Sequence, residues 1–277
     1  MHEFVTLHEA ALRLGSFCAV ALAMAGWEAL APRRPLSLGR ARRWPVNLGM
    51  VALATLLVRL LFPAAVLAAT ATWAQDQGMG LFNTTALPGA PALVLSILAL
   101  DLLVYGQHVA LHRMPVLWRL HRVHHADLDI DFTTGVRFHP VEIILSLLIK
   151  MAAVTALGAP VAAVVLFEML LNATAMFNHG NVRLAPALDS AIRVVLVTPD
   201  MHRVHHSVIA RETNSNFGFC LSLWDRIFAT YRAQPEAGHD AMTIGLPFFR
   251  DEADQGLWKL LANPFVEGAG ENDTKMP

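Results

Sequence analysis

The chain has 277 residues, of which 55% are hydrophobic and only 16% charged, with a formal net charge of −1 and a mean hydropathy of +0.45. Soluble domains carry about 25% charged residues, so most of this surface is expected to face lipid. The apolar content excludes disorder, and the lack of a basic excess excludes a nucleic-acid binder.

A helix needs about 20 mostly apolar residues to cross the hydrocarbon core. The first candidate covers residues 10–31 and ends at Pro32. Ala23-Met24-Ala25 resembles a signal-peptidase site, but Glu3 and Glu9 replace the basic leader such a signal needs, so a retained helix is expected. The second candidate covers 46–71, interrupted by Arg59 and Pro63, and the third covers 90–110. A longer tract, 141–177, is broken at Gly158-Ala159-Pro160 and reads as a helical hairpin. Arg59 and Lys150 fall inside spans, where snorkelling toward an interface is the simpler expectation.

Basic residues set the orientation. The loop at 32–45 carries Arg33, Arg34, Arg40, Arg42 and Arg43, whereas the loop at 72–89 has no Lys or Arg. Five crossings with the first loop cytosolic put the end of the third helix and everything after the hairpin on the same side. The expected architecture is all-α, with an N-terminal transmembrane part at 1–92, a catalytic part at 93–232 and a cytosolic tail at 233–277. Within the tail, residues 248–265 could form an interfacial amphipathic helix, and the last residues read as a frayed end.

Two cysteines, Cys18 and Cys220, cannot build a disulfide framework or a CxxC pair. The unusual count is 13 histidines. His108 and His112 stand four apart at the end of the third helix; His121, His124 and His125 form H-x-x-H-H, and His202, His205 and His206 repeat it. Positions i, i+3 and i+4 share a helix face, so each cluster is expected to aim its imidazoles one way. Packed together, these rings would repel if protonated and crowd their lone pairs if neutral; bound metal resolves both. Eight imidazoles exceed what one ion takes, so a pair of ions fits, and iron suits neutral nitrogen ligands and O2 chemistry.

These residues carry a family resemblance. The stretch from about Asp101 to Tyr231 resembles the fatty acid hydroxylase superfamily, also called the sterol desaturase family, of membrane di-iron oxygenases. The match runs through His108-Val-Ala-Leu-His112, Leu117-Trp118-Arg119-Leu120-His121-Arg122-Val123-His124-His125 and Arg137-Phe138-His139-Pro140-Val141-Glu142. It continues through Phe177-Asn178-His179-Gly180-Asn181 and Thr198-Pro199-Asp200-Met201-His202-Arg203-Val204-His205-His206, and closes with Trp224-Asp225-Arg226-Ile227-Phe228-Ala229-Thr230-Tyr231. The resemblance implies metal ligands at His108, His112, His121, His124, His125, His202, His205 and His206, with a further one at His179. A histidine found four residues before that position in the fatty-acid 2-hydroxylase branch is Ala175 here. His139 is then a candidate to complete the ligand set, or else supports it from outside.

Ligating imidazoles usually donate their other N–H to a carboxylate, carbonyl or water. The candidate orienters are Asp101, Glu142, Asp200 and Asp225; Asp127, Asp129 and Asp131 read instead as a solvated loop, and Trp224-Asp225-Arg226 as structural. His2, His8 and His239 belong to no pattern.

The resemblance implies two iron ions, O2 as co-substrate, and hydroxylation or desaturation of a lipid C–H bond. The sequence has no haem-attachment, iron–sulfur or dinucleotide motif, so electrons are expected from a separate ferredoxin or cytochrome b5-like protein. The expected location is a bacterial cytoplasmic (inner) membrane, with the site on the cytosolic face. Two other readings remain open: a membrane zinc-dependent hydrolase, although HExxH is absent, and a non-enzymatic metal transporter.

Overall fold

The computed structural model describes residues 2–62 and 66–267. Pro63, the expected break in the second span, lies outside these residues, as does the chain end from 268. Among the described residues the fold is all-helical, with three isolated β-bridges and no strand. In chain order the helices are α1 His2–Leu30, α2 Arg40–Leu61, α3 Val66–Asp76, α4 Leu81–Thr84, α5 Gly89–Arg113, α6 Pro115–His125, α7 Pro140–Leu157 and α8 Val161–Asn178. Six short ones follow: α9 Pro186–Ile192, α10 Pro199–His205, α11 Ala210–Thr213, α12 Leu223–Ile227, α13 Gly238–Ala241 and α14 Leu257–Ala262.

Five segments are long and apolar enough to cross a bilayer: His8–Leu30, Arg40–Thr84, Gly89–Arg113, Pro140–Leu157 and Val161–Asn178. Their outer faces expose large apolar side chains, among them Leu14, Leu22, Leu60 and Leu95, the pattern expected where lipid is the solvent. The second segment differs in where it begins from the interrupted span expected over 46–71. It starts earlier, at Arg40, and is divided into α2 and α3.

Gly158 ends α7 in the left-handed conformation (φ 66°), with its N–H directed at Val154 O and Thr155 O. Glycine adopts this conformation without a Cβ penalty, and Pro160 then opens α8. The expected turn is therefore present, but its two arms do not pack along their length. α7 packs on α2, α3 and α5, while α8 packs on α1, α3 and α5. Leu100, Val104, Val154, Val164 and Phe167 form the apolar core between them, and a cavity remains between the separated arms.

Side-chain and backbone contacts gather the loops at two opposite ends. At one end Arg33 N bonds Asn181 O at 2.9 Å, and the N–H groups of Ser37 and Leu38 both reach the Asp129 carboxylate at 2.9 Å. At the other, Gly80 lies against the Gly158 backbone with no room for a Cβ. The first end carries the arginines of the 31–39 loop and all the short helices from α9 onward.

The acidic loop after α6 is buried, which corrects the solvated reading. Arg43 Nε and NH2 donate to the two oxygens of Asp127 at 2.8 Å each, and Arg43 NH1 pairs with Asp131. Trp44 Nε1 donates to Asp131 at 3.1 Å. Burial works against ionising Asp127, but the Arg43 and Arg137 guanidiniums override it and hold the carboxyl well below its usual range. The periodicity of a short polar loop does not reveal this, because the partners come from a helix about 80 residues earlier. The α14 region packs Leu260 against Met50 and Val123 while exposing Trp258 and Phe265, so it is amphipathic.

Candidate metal centre

Nine histidines converge at the loop-rich end, in two adjacent groups. His108, His112, His121, His125 and His205 form one; His124, His179, His202 and His206 form the other. Within each group one nitrogen per ring lies within 4.8 Å of all the others, and every one of these residues is buried. α5 supplies His108 and His112 one turn apart; Pro115 then starts α6, which turns back to deliver the first H-x-x-H-H. His179 caps the end of α8. Thr198 caps α10 by accepting from Met201 N, and Pro199 occupies its first position, setting the second H-x-x-H-H in place.

The motifs do not each aim in one direction. On α6, His121 and His125 go to the five-residue group and His124 to the other; on α10, His202 joins the four-residue group with His206, and His205 crosses to the first. An i, i+4 pair stays together, while the histidine before its second member, about 100° around the helix from it, goes to the other group. The groups are in contact: the His125 and His206 rings stack with centroids 4.5 Å apart.

The hydrogen bonds fix which nitrogen faces inward. His108 Nδ1 donates to Phe217 O at 2.8 Å, His205 Nδ1 to Ser215 O at 2.7 Å and His179 Nδ1 to Ala175 O at 2.6 Å. A carbonyl only accepts, so in these rings Nε2 carries the lone pair. His121 donates its Nδ1 proton to Glu142 Oε1 at 2.8 Å. Its Nε2 then stands 3.1 Å from His108 Nε2. In the second group His179 Nε2 lies 3.0 Å from His124 Nε2 and 3.1 Å from His202 Nε2. The His108 and His121 lone pairs repel at this range unless a cation accepts both. Two nitrogens each about 2.1 Å from one ion stand about 3.0–3.4 Å apart, so a single cation could serve such a pair. His205 Nε2 and both nitrogens of His206 are buried with no hydrogen-bond partner among the described residues. Neutral, inward-facing, unsatisfied nitrogens are a donor set that fits metal ions.

Burial, reinforced by neighbouring rings, holds His124, His125, His202 and His206 well below the usual histidine value. Burial also lowers His179 to about 4 and His205 to about 3. All six are neutral at physiological pH, the state in which imidazole binds metal.

The carboxylates divide by role. Glu142 meets a ring directly. Asp225 accepts from Phe217 N at 2.7 Å and Gly218 N at 2.8 Å. Asp101 accepts from Cys220 N, Leu221 N and Trp224 Nε1. These two therefore hold the 217–221 loop, whose Phe217 carbonyl receives His108. Asp200 pairs with Arg203 and lies 3.5 Å from Arg33 and 3.8 Å from His239, away from both groups. His139 also stands outside them: its Nδ1 accepts from Val141 N at 3.2 Å as the cap of α7, and its Nε2 lies 3.3 Å from Leu261 O. His239, which fits no sequence pattern, is buried beside Asp200 and lowered to about 4, chiefly by burial.

Sequence reasoning missed the carbonyls of Ala175, Ser215 and Phe217, because backbone acceptors leave no mark on residue type. It also missed Phe138, stacked on His124 with centroids 4.5 Å apart. Asn216 sits between the carbonyl-bearing Ser215 and Phe217. It adopts a positive φ of 53°, a conformation asparagine tolerates, and its Nδ2 donates to Met201 O and Arg232 O at 2.8 Å each.

A cavity of about 360 Å³ begins at His108, His121 and Glu142 and runs into the span region, past Leu111, Phe138 and Val104. Its size is in the range of small-molecule sites.

Residues 93–230, about half of the chain, match the family model described as fatty acid hydroxylase. The chain belongs to the fatty acid hydroxylase superfamily. It is similar to the ornithine lipid hydroxylase of Rhizobium tropici, 26% identical over 178 residues, covering 64% of this chain and 51% of the relative. It is also similar to the alkylglycerol monooxygenase of Homo sapiens, 26% identical over 146 residues, covering 51% of this chain and 31% of the relative. A very-long-chain aldehyde decarbonylase of Oryza sativa is 24% identical over 223 residues, covering 77% of this chain and 32% of the relative. The chain thus spans about half the length of the first of these and about a third of the other two. No solved structure matches it.

Proposed function

We propose that this protein is a membrane-bound di-iron oxygenase that hydroxylates, or desaturates, a lipid C–H bond with O2 and external electrons. The observation that carries this reading is the pair of adjacent buried groups of five and four histidines, in which opposed Nε2 atoms stand 3.0–3.1 Å apart, more nitrogen ligands than the single tetrahedral zinc of a hydrolase takes. The relatives, named as a lipid hydroxylase and a lipid monooxygenase, support the same chemistry.

In this reading the five-residue group and the four-residue group each hold one iron, through His108, His112, His121, His125 and His205, and through His124, His179, His202 and His206. When bound, the iron pair supplies the redox chemistry with O2 that no side chain can. The protein's own residues do the rest. Glu142 and the carbonyls of Phe217, Ser215 and Ala175 fix ring orientation and tautomer. Asp101 and Asp225 stiffen the loop that presents Phe217. Phe138, Leu111 and Val104 keep the neighbouring cavity apolar, so that a chain is held dry beside the rings. His139 supports α7 from outside the ligand set.

The catalytic part covers 93–232, between the N-terminal spans at 1–92 and the tail at 233–277. The arginines collected at the histidine end support a location on the cytosolic face of a bacterial cytoplasmic (inner) membrane, by the positive-inside rule. They also offer a basic surface to an acidic ferredoxin or cytochrome b5-like donor. Metal analysis with O2 uptake under a reductant tests the reading. Two irons per chain and O2 consumption are expected; one zinc without uptake, or exchangeable metal without turnover, overturns it.

A further inference from the structure

The cavity does not end in hydrocarbon. Beyond its apolar stretch it is lined by Arg13, Arg59, Lys150 and Glu168, with Asn172 on the same wall as Glu168. These belong to α1, α2, α7 and α8, so four helices bring polar groups to the cavity within the spans. Lys150 is eight residues beyond Glu142 on α7, about 12 Å further from the histidines.

The charges do not balance. Arg13 pairs with Glu168 and lies 3.9 Å from Glu9, so one guanidinium serves both carboxylates. Among the described residues Arg59 and Lys150 make no close ion pair, although Arg59 faces Glu9 and Lys150 faces Glu168 at longer range. Three cations thus face two carboxylates. Excess charge at this depth is costly, and ionisable groups kept there usually serve a ligand. Snorkelling, expected from sequence, does not account for Lys150, which lines the cavity on the same side as Glu142 and Ser146.

We propose that Arg59 and Lys150 form an anion subsite, taking the carboxylate or phosphate of a lipid whose chain runs along the cavity to His108 and His121. This rests on the oxygenase reading for its consequence: the anchored group would set which carbon meets the metal centre, about ten bonds of extended chain away. The binding claim itself stands on the cavity alone.

The test is equilibrium binding of oleate, methyl oleate and oleoyl lysophosphatidate to the purified protein in dodecyl maltoside, with iron measured on the same samples. The wild type should bind oleate, lysophosphatidate or both at least tenfold more tightly than methyl oleate; which acid is preferred separates a carboxylate from a phosphate ligand. Lys150→Met and Arg59→Gln should each reduce that ratio and leave methyl oleate binding in place, while Lys150→Arg keeps the ratio. Glu168→Gln, which removes a carboxylate facing both Arg13 and Lys150, should raise it, a gain that misfolding cannot mimic. Equal binding of acid and ester by the wild type, or a preference that survives in the Lys150→Met/Arg59→Gln double variant, overturns the subsite. Absence of iron with the preference intact would overturn the oxygenase reading and leave the subsite standing.

Discussion

His121 and Glu142 meet at 2.8 Å, Nδ1 to Oε1, across the gap between α6 and α7. The bond ties a proposed ligand to the helix that also lines the cavity, so the ring cannot rotate without moving the cavity wall. Glu142→Gln keeps the volume but weakens the acceptor, and partners of this kind typically contribute 10–100-fold to metal affinity. Chelator competition should show a loss of about tenfold with an unchanged melting temperature. Unchanged affinity would reduce Glu142 to a packing role.

The two groups predict a paired mutational result. His124→Ala and His205→Ala, one from each group, should both lose bound metal and activity. His139→Ala should keep its metal and lose only the α7 cap, at a cost of about 1 kcal/mol. Metal content and thermal unfolding of the three variants check this; metal loss in His139→Ala would bring that ring into the ligand set.

Acid should destabilise the metal-free protein. Unfolded histidine titrates near 6.5, whereas folded His179 is lowered to about 4 and His205 to about 3 by burial. The unfolded chain therefore takes protons first as pH falls. Stability is full above about 6.5 and declines toward 4, and one ring shifted as far as His179 accounts for about 3 kcal/mol. Thermal unfolding of chelator-stripped protein between pH 8 and pH 4 reads this directly. A flat melting temperature across that window would contradict neutral burial.

Arg43→Met should be among the most destabilising substitutions outside the histidine groups. It leaves Asp127 and Asp131 buried without their shared guanidinium, a loss of about 3–5 kcal/mol for a broken buried pair. Denaturant unfolding measures it. Asp127→Asn/Arg43→Met together should recover part of the loss, and failure to do so would argue against coupling between the two.

What could be read from the sequence was set by side-chain chemistry at short range. The histidine spacing gave the ligand candidates, and the apolar runs gave the spans with a turn at Gly158. The partition of each H-x-x-H-H between two groups was not legible, because it depends on where α5 and α8 bring His108, His112 and His179. The burial of Asp127 depends on Arg43, 84 positions away, and the wedging apart of α7 and α8 depends on α3 and α5. Long-range packing of this sort leaves a local pattern unchanged.

Because α6 and α10 each contribute to both histidine groups, neither group can be assembled alone. An ion seated in one immobilises the same two helices that frame the other, so the second should enter a place already made ready. Titration of the stripped protein with ferrous iron should then rise as a single steep step, with half-loaded molecules scarce at every stage.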